Sequence, residues 1–307
     1  MNDERPVAVM DSGVGGISVL RQLVCIAPEE NYVFFGDSAN APYGTKSEKQ
    51  VLALAQGAAE RLLALDAKAL VIACNTATSV AADTLRAKYP AIPIIGMEPA
   101  VKPASKWGEY PSVLVMATPL TLKREKFLSL LHRYDSDARL CPTPCPGLVE
   151  LIESGADHEK IRALLRWLLL PVRDQLGAVD AVVLGCTHYP LVRDDISAVL
   201  AELFDDEDER SRFSESLGIN RAGDLSTRPR ADAFAGKIAI FDGCRATASE
   251  TVRRLHRAGV KRTSVENGTV SMYSSSSDPS SAALAHSLIA AVTDSLGVEV
   301  RDCGILS

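Results

Sequence analysis

Two segments of this 307-residue chain are repeated further on in the same order. KALVIACNT (68–76) matches DAVVLGCTH (180–188), and VAVMDSGVGG (7–16) matches VLVMATPLTL (113–122). Cys186 follows Cys74 by 112 positions and Met116 follows Met10 by 106, so the two offsets nearly agree. Buried strands often look alike by chance, but order and spacing that repeat together point to a tandem duplication. Short β-branched apolar runs alternate with longer helical patterns, the signature of βαβ units on a parallel sheet. Strands are expected at Val7–Met10, Tyr32–Phe35, Ala69–Ala73, Ile92–Ile95, Val113–Met116, Ala181–Leu184 and Ile238–Phe241. Helices are expected over Glu48–Leu65, Thr78–Lys88, His158–Leu169 and Ile196–Leu203. The fold class is therefore α/β, with two similar domains that each carry a cysteine at the carboxyl end of a strand, where open parallel sheets place their ligands.

Hydrophobic residues at 47% and charged residues at 23% describe a globular chain with enough apolar material for two cores. No apolar run approaches the ~18 residues that span a bilayer, and the charged start MNDERPVAVM lacks a signal-peptide core, so no membrane partner and a cytoplasmic location are expected. A net charge of −6, with no basic cluster interleaved with aromatics, argues against nucleic acid as the ligand. The seven cysteines form an odd set and are expected to be mostly free thiols. Cys141 and Cys145, set among Pro142, Pro144 and Pro146, lack the spacing of a zinc site, and no metal is expected. After Leu203 the apolar period stops, and residues 204–236 read as a polar surface insertion whose acidic run Asp205–Glu209 is a solvated face. Ser274–Ser277 reads as a strand end and turn before a helix near Ala282–Leu296.

A cysteine at a strand end is ordinarily a small hydrophobe. Cys74 and Cys186, however, each open a polar cluster, CNT and CTH, where a structural strand would continue with apolar side chains. Each precedes a helix-forming run, so each thiol is expected near a helix N-terminus, whose N–H groups stabilise a thiolate. Asn75, Thr76 and Thr187 add donors suited to a carboxylate. Two matched groups that alternate as base and acid are what inversion of a stereocentre requires, because one face loses a proton while the other gains one.

Asp11 opens DSGVGG, where glycines allow a tight turn. No Lys-Ser/Thr follows to make a phosphate loop, and Ser18 stands where a dinucleotide motif needs its third glycine. The Asp11 carboxylate fits the orientation of a thiol or an ammonium group, although an aspartate that only caps a turn has the same pattern. His188 in CTHYP stands two residues beyond Cys186, within reach of assisting it. Glu153 in GLVELIESG, and Tyr43 with Gly44 in APYGTKS, are weaker candidates, since helix-end glutamates and Pro-Tyr-Gly turns are routine.

Taken together, DSGVGG (11–16), FGDSANAPYG (35–44), ACNTAT (73–78), IPIIGMEPAVKPA (92–104), MATPLTL (116–122), CPGLVELIESG (145–155), LGCTHYPL (184–191) and FDG (241–243) resemble the glutamate racemases of the aspartate/glutamate racemase group. The resemblance implies two pseudo-symmetric α/β domains with mainly parallel sheets and the active site in the cleft between them. It places 1–98 with 237–307 in a discontinuous first domain and 99–203 in the second. It also implies interconversion of L- and D-glutamate with no cofactor, neither pyridoxal phosphate nor metal, supplying D-glutamate for peptidoglycan, often by a homodimer. Cys74 would take the α-proton of the D-enantiomer and Cys186 that of the L-enantiomer, with Asp11, Glu153 and His188 in supporting acid/base positions. Ser12, Pro42, Tyr43, Gly44, Asn75, Thr76 and Thr187 match substrate contacts, and Thr118 and Thr121 fall in the segment lining the second domain's side.

The chain departs from the family pattern in the length of the stretch around Asp205–Gly236 and in Ala246, where a glycine is usual. An aspartate racemase, or one for another acidic amino acid, differs by about one methylene of cleft shape, worth roughly 1–3 kcal/mol. A thiol hydrolase or amidase using Cys186 and His188 needs a single nucleophile and leaves ACNTAT unexplained. A binding protein that kept the cleft and acts through another surface is the third alternative.

Overall fold

The computed structural model describes residues 3–204 and 238–306, in which successive strands are separated by one or two α-helices. The chain divides into two compact units, Met1–Glu98 with Gly243–Ser307, and Pro99–Asp242. The insertion read at 204–236 lies, beyond Phe204, outside the described residues.

The first unit runs β1 (Val7–Asp11), α1 (Ile17–Ile26), β2 (Tyr32–Gly36), α2 (Glu48–Ala64), β3 (Ala69–Ile72), α3 (Asn75–Lys88) and β4 (Ile94–Gly96). The second runs α4 (Val101–Ser105), β5 (Ser112–Ala117), α5 (Pro119–Lys123), α6 (Glu125–His132), β6 (Arg139–Pro144), α7 (Leu148–Glu153), α8 (His158–Leu176), β7 (Ala181–Leu184), α9 (Arg193–Phe204) and β8 (Ala239–Asp242). The chain then completes the first unit with α10 (Cys244–Ala258), β9 (Thr269–Ser274), α11 (Pro279–Leu296) and β10 (Glu299–Ile305).

The first sheet has the order β10-β9-β2-β1-β3-β4 and the second β6-β5-β7-β8, and every described pairing is parallel. The block β2-β1-β3-β4 thus repeats as β6-β5-β7-β8. Registers repeat with it: Met10 faces Ile72 as Met116 faces Leu184. The duplication seen in the sequence is a duplication of sheet topology. The central strands β3 and β7 are apolar and buried at every position because helices cover both faces of a parallel sheet.

Local signals set the helix ends. Ser47 and Gln50 form a reciprocal capping box at the start of α2, and Asp157 caps α8 by accepting from the Lys160 N–H. Glycines in the left-handed region close α10 (Gly259, φ 70°) and α11 (Gly297, φ 66°). Among the described residues, no helix is long and apolar enough to cross a membrane.

The structure departs from the sequence reading at several places. The strand expected at Ile238–Phe241 is present as β8, but it pairs with β7 of the second sheet, so the chain re-enters the first unit at Gly243 and not at 237. Packing explains this: Ile240 joins the core of Leu114, Val182 and Leu184, and Phe241 meets Trp107 edge-on at 5.6 Å. The strand end read at Ser274 is the close of β9, whereas two strands, β6 and β10, were not expected. Strand β6 contains Pro142 and Pro144, which sheets tolerate at an edge, and it is the edge strand of its sheet.

Candidate active site

In the first unit the candidate residues gather at the carboxyl ends of β1 and β3. Asp11, fully buried, ends β1 and accepts the Gly13 N–H at 3.1 Å. A side chain on Gly16 would put its Cβ 2.5 Å from Asp11 Cβ, so the glycine lets the DSGVGG turn fold against the carboxylate. Cys74 is the N-cap of α3, its sulfur accepting the Ala77 N–H at 3.4 Å, and its thiol donates to Ser12 Oγ at 3.6 Å. The expectation of a helix N-terminus at this thiol holds, and α3 starts at Asn75, earlier than expected, because the cysteine itself caps it.

Asn75 and Thr76 form the first turn of α3 and are buried. Among the described residues, neither amide atom of the Asn75 side chain has a hydrogen-bond partner. A buried polar group left unsatisfied costs about 1–3 kcal/mol, which marks this amide as one that a ligand would satisfy. Pro42 is half-buried, and Tyr43 and Gly44 are buried in a turn following β2. The Tyr43 hydroxyl donates to Asp37 Oδ2 at 2.6 Å, and Asn40 Nδ2 donates to the other carboxylate oxygen at 2.9 Å. Burial, then the charge and hydrogen bond of Asp37, then Cys74 and Asp11, push the Tyr43 phenol well above its ordinary range, so it remains a neutral donor. Asp37 was not singled out in the sequence. Its signal was a carboxylate directly after β2, at the same sheet edge as Asp11, whose carbonyl accepts the Asp37 N–H at 3.0 Å.

The second unit presents a different set. Gly185 permits a close approach to β5, since an added Cβ would lie 2.7 Å from the Met116 carbonyl oxygen. Cys186 follows, nearly buried, with Sγ 3.8 Å from His188 Nδ1. His188 Nε2 lies 2.5 Å from Glu153 Oε1 at the end of α7, and the Thr187 hydroxyl is 3.4 Å from Nδ1. With Nε2–H donating to the carboxylate, Nδ1 faces the thiol as an acceptor, or as a donor once the ring is charged. Thr118 caps α5 by accepting the Thr121 N–H at 3.3 Å, and the two threonine hydroxyls share a 2.9 Å hydrogen bond.

Cys186 departs from the expectation of a helix N-terminus beside it. Tyr189–Val192 forms a 3-10 turn containing Pro190, and α9 begins only at Arg193. His188 stands where α3 supplies amides to Cys74. Cys145, buried at the end of β6, has its thiol pushed up to about 12, chiefly by burial, and is a structural residue. Among the described residues, no three His, Cys, Asp or Glu side chains are arranged to hold a metal.

Each unit therefore offers one thiol with its own proton partners. The first brings together Asp11, Ser12, Tyr43, Cys74, Asn75 and Thr76; the second joins Cys186, Thr187, His188 and Glu153, with Thr118 and Thr121 as a separate pair.

Comparison with known proteins shows the family. A family model described as Asp/Glu/Hydantoin racemase matches residues 7–205. The chain is 40% identical over 285 residues to a glutamate racemase of Clostridium perfringens, covering 92% of this chain and 96% of the relative. It is 39% identical over 285 residues to one from Clostridium acetobutylicum, covering 92% and 97%. Among solved structures, the glutamate racemase of Thermus thermophilus in complex with beta-chloro-D-alanine matches with a TM-score of 0.68 at 28% identity, over 99% of this chain and 98% of that one. The Francisella tularensis enzyme in complex with D-glutamate matches in fold with a TM-score of 0.74 at 24% identity, over the same shares. Matched over most of its length by the family model and by these relatives, the chain belongs to the Asp/Glu/Hydantoin racemase family.

Proposed function

We propose that this enzyme interconverts L- and D-glutamate by a two-base reaction in which Cys74 and Cys186 are the acid/base pair. The observation that carries the reading is the repeated register: both cysteines stand two residues beyond the strand positions, Ile72 and Leu184, that face Met10 and Met116. The reading requires the two sulfurs to meet opposite faces of one α-carbon. One thiolate takes the α-proton, the C–H electron pair passes into the carboxylate-conjugated carbanion, and the other thiol returns a proton from the far side. Cys74 serves the D-enantiomer and Cys186 the L-enantiomer. Asp11, with Glu153 and His188, assists the proton transfers; Ser12, Pro42, Tyr43, Gly44, Asn75, Thr76, Thr118, Thr121 and Thr187 bind the substrate.

The choice of glutamate is supported by relatives of that name at about 40% identity over nearly the whole chain. The unpartnered Asn75 amide suits a carboxylate ligand. In the cell the reaction would supply D-glutamate for peptidoglycan from a cytoplasmic homodimer. A thiol hydrolase would need only Cys186 with His188 and would leave Cys74 without a task.

The test is incubation with L- or D-glutamate in heavy water without added cofactor. Deuterium is expected at Cα of the enantiomer that forms, and Cys74→Ser or Cys186→Ser is expected to abolish racemisation. Full turnover by either variant refutes the two-thiol reading.

A further inference from the structure

We propose that Ser12 is the positioning residue of Cys74, its hydroxyl holding the sulfur by a hydrogen bond in both protonation states. The inference rests on the two-thiol reading above. Cys74 Sγ lies 3.6 Å from Ser12 Oγ, and both residues are only 4% exposed. A serine hydroxyl rotates freely and carries one donor and two acceptor sites. While Cys74 is protonated, its S–H donates to Ser12 Oγ; after the proton has left, the hydroxyl turns and donates to the thiolate. No proton passes to the serine in either state. The hydrogen bond reverses direction, and the sulfur keeps its place. The Ala77 N–H, 3.4 Å from the same sulfur, can only donate and so favours the thiolate alone.

The duplicated unit separates this contact from the general geometry of a strand end. Thr118 stands two residues beyond Met116 as Ser12 stands two beyond Met10, yet its hydroxyl is engaged by Thr121 in capping α5. Cys186 has the His188 imidazole instead, 3.8 Å away. One thiol is thus served by a hydroxyl and the other by an imidazole. Cys74 and Asp11 both act on the Tyr43 phenol, whose hydroxyl is bound by Asp37, so these ionisable groups are neighbours of the sulfur.

The test is the pH dependence of iodoacetamide alkylation, followed separately at Cys74 and Cys186 by mass spectrometry in the full chain. A hydrogen bond to the charged sulfur is stronger than one from the neutral thiol, so Ser12→Ala is expected to raise the Cys74 midpoint by about one pH unit, about a tenfold loss of thiolate at a fixed pH below both midpoints. The Cys186 midpoint is expected to stay in place. Ser12→Gly removes the same hydroxyl and is expected to give the same shift, whereas Ser12→Thr keeps a hydroxyl and is expected to retain the parent midpoint. A Cys74 midpoint within about 0.2 unit of the parent in the alanine or glycine variant overturns the proposal. So does a threonine variant shifted as far as alanine, or a shift of both cysteines together. The two-thiol reading fails separately: a Cys74→Ala variant that still racemises glutamate refutes it, whatever the alkylation profiles show.

Discussion

His188 Nε2 lies 2.5 Å from Glu153 Oε1, across 35 positions of sequence, and the same ring turns Nδ1 toward Cys186. The carboxylate fixes the tautomer and orientation of a ring that is 1% exposed. If His188 assists Cys186 as proposed, removing the ring takes that assistance away, whereas removing only the carboxylate's charge leaves the ring in place but less well oriented. His188→Asn is expected to lower kcat/KM by about 10²–10⁴-fold, and Glu153→Gln by less. Enantiomers have equal free energy in water, so each loss must be the same in kcat/KM for L- and D-glutamate. Initial rates in both directions check this, and a Glu153→Gln variant more impaired than His188→Asn would contradict the order of support.

Gly185→Ala tests how closely Cys186 is held. The added methyl would lie 2.7 Å from the Met116 carbonyl oxygen and 3.1 Å from Ala117 Cβ, so β7 and β5 must move apart where the thiol begins. Overpacking of this kind costs about 1–3 kcal/mol of stability. A displacement near 1 Å at a reacting group costs about 10²-fold in rate. The expected result is a variant that remains folded, with kcat reduced on that order and KM less affected, measured by steady-state kinetics beside urea denaturation.

How far the sequence foretold these features depended on how local each cause was. Strand β7 matches its expected bounds because four buried apolar residues bounded by polar ones admit little else. Strand β6 was hidden by Pro142 and Pro144, whose tolerance depends on edge position, a property of the assembled sheet. The membership of β8 in the second unit could not be read locally either, since only its pairing with β7 decides it. Asp11 was legible as a carboxylate ending an apolar run, and Cys74 and Cys186 as the openings of the polar clusters CNT and CTH. Asp37 was not, because an aspartate after Phe-Gly looks like a turn until Tyr43 is seen to donate to it. Glu153 had only the family resemblance behind it; its tie to His188 arises from the placement of α7.

The pair Lys68 and Glu30 carries a stability prediction away from the site. Both side chains are fully buried, with Nζ 2.6 Å from Oε2. Lys68 Nζ also donates to the Asp3 carbonyl at 2.8 Å, and the Arg262 N–H donates to Glu30 Oε1 at 2.8 Å. Breaking a buried pair from one side leaves an uncompensated charge, at a cost of about 3–5 kcal/mol, whereas replacing both partners by apolar residues is often neutral. Lys68→Met is expected to destabilise the enzyme by that amount and Lys68→Met with Glu30→Leu by clearly less. Chemical denaturation of the parent and both variants measures the difference; a double variant as unstable as the single one would show that the pair is not the cause.

Alkaline pH should weaken the fold through three buried tyrosines. Burial is the largest cause holding the phenols of Tyr32, Tyr43 and Tyr189 well above their ordinary range. In the unfolded chain each loses its proton near pH ~10, while in the folded protein it keeps it. Above that pH the folded state binds more protons than the unfolded state, so stability falls as pH rises, by about 1.4 kcal/mol per pH unit for each tyrosine. The stabilisation is fully present below the unfolded pKa and is lost from there upward, until the folded phenols ionise. Three groups acting together bring the slope to about 4 kcal/mol per pH unit once the pH is about a unit above the unfolded pKa, and to about half of that at it. Urea denaturation between pH 9 and 11, with tyrosinate absorbance followed in parallel, is expected to show unfolding and phenol ionisation arriving together for these residues. Tyr43→Phe should reduce the slope by about a third, and a slope unchanged in that variant would place the Tyr43 phenol outside the effect.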